Sequence, residues 1–366
     1  MNRKIGTIVI IILAIILIEV LYFSFGTKTK RQVELDSGHR LVMGTFARVV
    51  AIAADPNIAN RCIEAALAEI QKVDELMSDY KSDSEISKMN RDAYRRAVKI
   101  SESTYEVLQR SIEISKLTEG AFDITVGPLV ELLRSAEKKN VTPSKAEIAQ
   151  AESKVGFEKL KLDDQGRTVK FVVEGMRLDL GGIAKGYAVD KAIEVMQKVG
   201  AIGGMVDIGG DIRCFGKPAR GKKRWLIGLQ DPNKPEEPWP SAGELITTTR
   251  PLLVLKLTDA AVATSGGYRR FALIEGKKYS HIINSHIGRM GFSPCGEGLS
   301  SVTIIANSAT DADALATAVS VMGAEKGLAL IEELPKTEAI LITSQPTFEF
   351  IKTSGAEKHI RNKNDH

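Results

Sequence analysis

Residues 159–182, KLKLDDQGRTVKFVVEGMRLDLGG, decide the fold class. Short runs of aliphatic and β-branched residues are separated by DDQG at 163–166 and by Glu174-Gly175, both turn-forming compositions. The stretch reads as strand, turn, strand, turn, strand. Directly after it, Val189, Ile193 and Met196 recur at helical spacing, so a helix follows.

Reading outward from there, strands and helices continue to alternate irregularly. ARVVAIA (47–53) is a strand. Asp55-Pro56 then supplies a cap and a proline at the first helical position. Ile63, Leu67, Ile70, Val73 and Met77 predict an amphipathic helix over 56–79. Further helices are expected at 103–118, closed by Gly120, and from Pro128 to about Lys138. Towards the C-terminus, strands are expected at 204–215, 224–230, 252–258, 269–274 and 278–283. A strand (301–306), helices (311–322 and 324–333) and a strand (337–343) follow. Elements mixed without a strict β-α-β rhythm argue for α+β and against a doubly wound sheet.

The chain has 366 residues, 43% hydrophobic and 26% charged, with a formal net charge of +4. No basic stripe concentrates that charge, which excludes a nucleic-acid-binding surface. The N-terminus differs in kind. After MNRK, residues 5–25 are predominantly apolar with Glu19 as their only charge, a run long enough to cross a bilayer as a helix. No A-x-A-like site follows it, so cleavage is not expected. The expected layout is a short cytoplasmic tail (1–4), a transmembrane signal anchor (5–25), a linker (26–38), one globular domain (39–353) outside the cytoplasm, and a polar tail (354–366). Three cysteines are too few for a disulfide scaffold. Cys62 falls in a helix pattern and reads as core, while Cys214 and Cys295 could pair in an oxidising compartment.

LDLGGIAKG (178–186) and VDIGGDIRC (206–214) each place an Asp two residues before Gly-Gly at a strand end. Paired glycines let main-chain N–H groups approach an anion, and the first pair opens a helix. Together they point to a phosphate-bearing ligand. GxxxxGK[ST], GxGxxG, GxSxG and HExxH are all missing, which removes the common nucleotide and hydrolase signatures.

TDADALATAV (310–319) sets Asp313 and Thr317 four residues apart, hence on one helical face. A carboxylate and a hydroxyl so placed could hold a hard cation, or Thr310 or Asp311 could simply cap a core helix. The surrounding polar clusters decide between these readings: MGTFARV (43–49), LMSDYKSDSEISKMN (76–90), GAFDITVGPLV (120–130), LDLGGIAKGYAVD (178–190), ATSGGYRRF (263–271), YSHIINSHIG (279–288) and TDADALATA (310–318). In this order and spacing the chain resembles the FAD:protein FMN transferases, the ApbE-like family, over roughly residues 41–343.

That resemblance implies a single large mixed-sheet catalytic domain flanked by helices. It implies an enzyme that cleaves FAD, attaches FMN through a phosphoester to a threonine of an acceptor redox protein, and releases AMP. Acceptors in such a family are usually membrane redox subunits. The family's D-x-x-x-T block binds Mg2+, and it matches Asp313 and Thr317; the backbone oxygen of Ala184 is a further ligand, with Ala316 beside it. Positions lining the FAD site match Met43, Tyr80, Ala121, Phe122, Asp123, Gly181, Tyr187 and Ile283. His281 stands where the family has a strand histidine and is the candidate base for the acceptor hydroxyl. The family's HIIDPxTG reads HIINSHIG here, so Asn284 and Ser285 replace Asp and Pro in the acceptor-facing loop. A non-catalytic FAD-binding protein and a Mg-dependent FAD pyrophosphatase are the competing readings. The intact Asp313 and Thr317 argue against mere storage.

Overall fold

A computed structural model of the chain describes residues 32–219, 221–232, 251–266, 271–284, 298–344 and 349–362. The expected anchor, residues 5–25, lies outside them, as do Cys295 and Ser285. Among the described residues no helix is long and apolar enough to cross a membrane.

Strands β1 (Val33–Asp36), β2 (Arg40–Val42) and β3 (Thr45–Ala53) lead into helices α1 (Pro56–Met77) and α2 (Glu85–Asp92). Next come β4 (Val98–Lys99), α3 (Glu102–Leu117), α4 (Gly127–Lys139), α5 (Lys145–Glu152), β5 (Leu160–Asp163) and β6 (Thr168–Phe171). Helix α6 (Ala184–Val199) opens the second half, followed by β7 (Gly203–Ile208), β8 (Asp211–Phe215), β9 (Trp225–Leu229), β10 (Leu253–Leu257) and β11 (Ala260–Ser265). After β12 (Phe271–Ile274), β13 (Lys277–Ser280) and β14 (Leu299–Ala306) come α7 (Ala309–Met322), α8 (Ala324–Glu333), β15 (Glu338–Thr343) and β16 (Phe350–Lys352).

The main sheet runs β1-β3-β7-β8-β11-β14-β15-β16, with β2 added on β3. Each of its described pairings is antiparallel, so the mixed sheet expected from the resemblance is corrected to an antiparallel one. In β3 the side chains alternate as pleating requires. Ala47, Val49, Ala51 and Ala53 join the core shared with α1, α6 and α7, whereas Val50 and Ile52 join Trp225, Ile227, Leu255 and Leu257 of the β9–β10 pair on the other face. A third apolar cluster joins α4 and α5 to the β12–β13 hairpin.

Local signals placed most helices. Asp55 caps α1 with its side chain on Asn57 and Ile58, and Gly200, at φ 114°, ends α6. Other expectations change. The stretch at 159–182 supplies only β5 and β6. Its third segment makes only an isolated parallel bridge, Arg177 with Val126, and a bond from Asp179 N to Ile124 O, while Asn90 accepts from Leu178 N at 2.7 Å and donates to Leu178 O at 3.0 Å. The strand expected over 204–215 is a hairpin, because Gly209 and Gly210, at φ 63° and 98°, form a two-residue turn between Ile208 and Asp211. Helix α2 and strand β11 were not anticipated. The 26–38 stretch contributes β1 to the sheet edge. The polar tail is anchored too: Ala356 is buried and Lys358 pairs with Glu338 at 2.7 Å.

Candidate active site

Helices α6 and α7 pack closely through small residues. Ala184, Gly186 and Ala188 on α6 and Ala309, Ala312 and Ala316 on α7 are all buried. A Cβ at Gly186 would lie 2.1 Å from Ala309 O, so only glycine permits this approach. The first turn of α6 therefore lies against the first turns of α7.

Asp313 sits in that contact, 3% exposed. One carboxylate oxygen accepts the Gly186 N–H at 3.1 Å, and Lys185 Nζ is 3.2 Å from both. Lys185 also pairs with Asp211, the first residue of β8 and likewise 3% exposed. One turn beyond Asp313, Thr317 Oγ1 is 3.5 Å from Ser265 Oγ at the end of β11. A Cβ at Gly182 would lie 3.0 Å from Thr317 Oγ1 and 3.4 Å from the Phe122 ring. The paired-glycine turn thus rests on the Asp313–Thr317 face.

The acid pair is electrostatically unusual. Burial, then repulsion from Asp313, pushes the Asp211 carboxyl up to about 8 against the pull of Lys185. Lys185 is held above its ordinary value, burial opposing and Asp211 and Asp313 favouring the charge. Two carboxyl groups share one ammonium here. Asp313, Thr317 and Asp211 present oxygen donors, the chemistry a hard divalent cation such as Mg2+ requires. Ala184, the first residue of α6, and Ala316 on α7 border the same contact, and Ala316 O accepts from Ser320 Oγ at 2.8 Å. The residues present fit the ion.

The helix expected to be capped by Thr310 or Asp311 is capped by Ser308, whose side chain accepts from Asp311 N. Asp311 instead pairs with Arg110 on α3 at 2.7 Å. The capping expectation is thus corrected to Ser308, while Asp313 and Thr317 lie one turn apart on α7. Lys185, Asp211, Asp190 and Ser265 escaped sequence reasoning; the Asp that closes the second glycine pair, in GGD, was the available signal.

The remaining candidates spread around this centre. Met43 stands in the β2–β3 turn at φ 51°, a conformation costly for a residue with a Cβ. Tyr80 is 80% exposed, with the Arg134 guanidinium 4.7 Å over its ring. Arg134 pairs with Asp79 and Asp179 beside a cavity of about 170 Å³, and Asp179 accepts the Gly181 N–H at 2.7 Å. Ala121 and Phe122 are buried beyond α3. The Asp123 carboxylate is occupied by its own chain, accepting from Thr125 N, Thr125 Oγ1 and Phe157 N. Tyr187 donates to Glu106 at 2.7 Å; burial, then Glu106, raises its pKa. Ile283 packs in the α4–β12–β13 cluster, and exposed His281 directly follows β13 on the same hairpin.

An antiparallel α+β domain whose small-residue helix pair presents this acid–hydroxyl face defines a class. The description "ApbE family" matches residues 43–341, and the chain belongs to that family. An FAD:protein FMN transferase of Treponema pallidum is 30% identical over 315 residues, covering 82% of this chain and 83% of its own. One from Vibrio cholerae is 35% identical over 265 residues, covering 72% and 74%. Among solved structures, the ApbE protein of Thermotoga maritima superposes with a TM-score of 0.75 at 30% identity, over 91% of this chain and 100% of that one. The flavin transferase ApbE of Vibrio cholerae gives 0.73 at 29% identity, over 90% and 99%.

Proposed function

We propose that this chain is a magnesium-dependent FAD:protein FMN transferase, anchored in a membrane by residues 5–25 and acting outside the cytoplasm. The observation that carries the reading is the convergence of Asp313, Thr317 and the Gly182 turn on one face of α7. Asp313, Thr317 and the Ala184 carbonyl would hold the ion. Bound there, Mg2+ would neutralise charge developing on the FAD pyrophosphate.

The chain's own groups do the rest. Lys185 supplies a fixed positive charge at the same carboxylates. Gly181 and Gly182 offer main chain without side-chain obstruction at the start of α6. Tyr80, Met43, Phe122, Ala121, Tyr187 and Ile283 would bound the flavin, and Asp123 would hold the Phe122 loop in place. His281 would take the proton of the acceptor threonine hydroxyl. The hydroxyl oxygen then bonds to the FMN phosphorus, the bond to the AMP phosphate breaks, and AMP leaves. The acceptor would be a membrane redox subunit, and Asn284 and Ser285 would shape its recognition.

The test is to incubate the full chain in mild detergent with FAD, magnesium and a candidate acceptor, and to weigh the acceptor. A mass gain of one FMN, abolished by chelation, is expected. AMP and free FMN without acceptor labelling would instead mean hydrolysis, with water as the nucleophile.

A further inference from the structure

We infer that Asp190 is a positioning residue that sets where Asp313 stands; the inference rests on the reading that α7 holds the metal. Asp190 lies on α6, four residues after Gly186, and is 6% exposed. Its Oδ1 accepts from Ala309 N at 3.0 Å, and its Oδ2 from Thr310 N at 2.9 Å, Thr310 Oγ1 at 2.6 Å and Ser308 Oγ at 2.8 Å. These are the first residues of α7 and its cap. Asp313 in turn lies four residues after Ala309 and accepts from Gly186 in the first turn of α6.

The two helices therefore cap each other. A carboxylate within the first two turns of each helix takes free N–H groups at the start of the other, satisfying donors that no intrahelical carbonyl reaches. Grip on two successive amides fixes both translation and rotation of α7. A slip of one residue would move it about 1.5 Å and turn it about 100°, enough to carry Asp313 away from Gly186 and Lys185.

Asp190 also binds Arg213 on β8 at 2.7 Å. Strand β8 begins with Asp211, the other partner of Lys185. One buried carboxylate thus ties together the elements that carry Lys185 (α6), Asp313 (α7) and Asp211 (β8). Asp190 touches neither Lys185 nor Asp313 in these contacts; it acts through helix register.

The experiment compares Asp190→Ala and Asp190→Asn with Glu338→Gln, which disturbs a remote network of buried Thr353 and largely exposed Lys358. On the full chain without FAD, amide exchange at Gly186, magnesium affinity and Tm are measured. Loss of charge-assisted hydrogen bonds should speed Gly186 exchange and weaken magnesium binding about tenfold or more in Asp190→Ala. Asp190→Asn, which keeps one acceptor oxygen, should fall between it and the wild type, and it carries the test if the alanine variant fails to fold. Glu338→Gln should lower Tm and leave both other readouts unchanged. Asp190 variants that lose Tm yet keep wild-type Gly186 protection and magnesium affinity would overturn the inference. If the wild type takes up no magnesium, the metal reading falls, and Gly186 exchange alone decides whether Asp190 sets the register.

Discussion

Lys185 Nζ stands 3.2 Å from each carboxylate oxygen of Asp313. The same ammonium pairs with Asp211, so the second residue of α6 is the resident counter-ion of two buried acids from distant parts of the chain. A divalent cation at Asp313 has to share these carboxylates with Lys185, and that competition shapes the expected behaviour of variants.

Asp313→Ala is expected to abolish FMN transfer, whereas Asp311→Ala, which loses only a partly exposed pair with Arg110, should cost at most about 1 kcal/mol of stability. Asp313→Asn preserves shape and one acceptor for Gly186, so weak transfer should return at high magnesium. Transfer measured against magnesium for the three variants, with thermal melts alongside, checks this. Equal losses at 311 and 313 that follow Tm would reduce the stretch to a core helix.

The glycines of α6 and its preceding turn should separate packing from site chemistry. Gly186→Ala forces a Cβ to within 2.1 Å of a backbone oxygen, so the helices must part, at a cost of about 3 kcal/mol or more. Gly182→Ala meets the Thr317 hydroxyl at 3.0 Å and the Phe122 ring edge at 3.4 Å, both able to yield a little. The Gly182 variant should therefore fold and lose transfer, while the Gly186 variant loses stability first. Urea melts and transfer rates of both variants distinguish the two, and a stable, active Gly186→Ala would contradict the packing described.

Acidity should matter in a particular direction. Asp211 titrates near 8 in the fold and near its ordinary 3.8 when exposed. Between those values the folded protein holds a proton that the unfolded chain has released, so the metal-free protein should become less stable as pH rises from about 4 to about 8. Magnesium competes with that proton, and its affinity should tighten over the upper part of the same window. Asp211→Asn should flatten the stability profile. Urea melts without magnesium across this range provide the check, and an identical slope in the variant would count against it.

His281→Ala should slow transfer by about 10²–10⁴-fold, the usual contribution of a general base, while FAD binding stays near normal. Single-turnover transfer and flavin fluorescence titration measure the two separately. A wild-type rate would remove His281 from the reaction.

Sequence reasoning reached most helices of this protein, though not α2 or α5, through caps, glycine stops and apolar periodicity, since those depend on residues within a turn or two. It also placed Asp313 and Thr317 one turn apart on the same helix, because spacing on one helix is a local fact, and the order of polar blocks pointed to the family. It misjudged the segment after Glu174-Gly175 as a full strand, because Asn90, far back in the chain, takes both main-chain groups of Leu178 and leaves only an isolated bridge at Arg177. Glycine pairs with the same local signature became a helix entry in one case and a hairpin turn in the other.

What the sequence determined by itself was the set of chemically competent groups and the local elements that carry them. Only the tertiary structure decided that Lys185 would meet Asp313 across 128 positions of chain, that Asp211 would join them, and that Asp190 would cap α7 across 119 and 120. The physical reason is that such contacts arise where small residues let helices approach within backbone distance. Nothing in a short window of sequence records which distant carboxylate will fill the space this approach leaves.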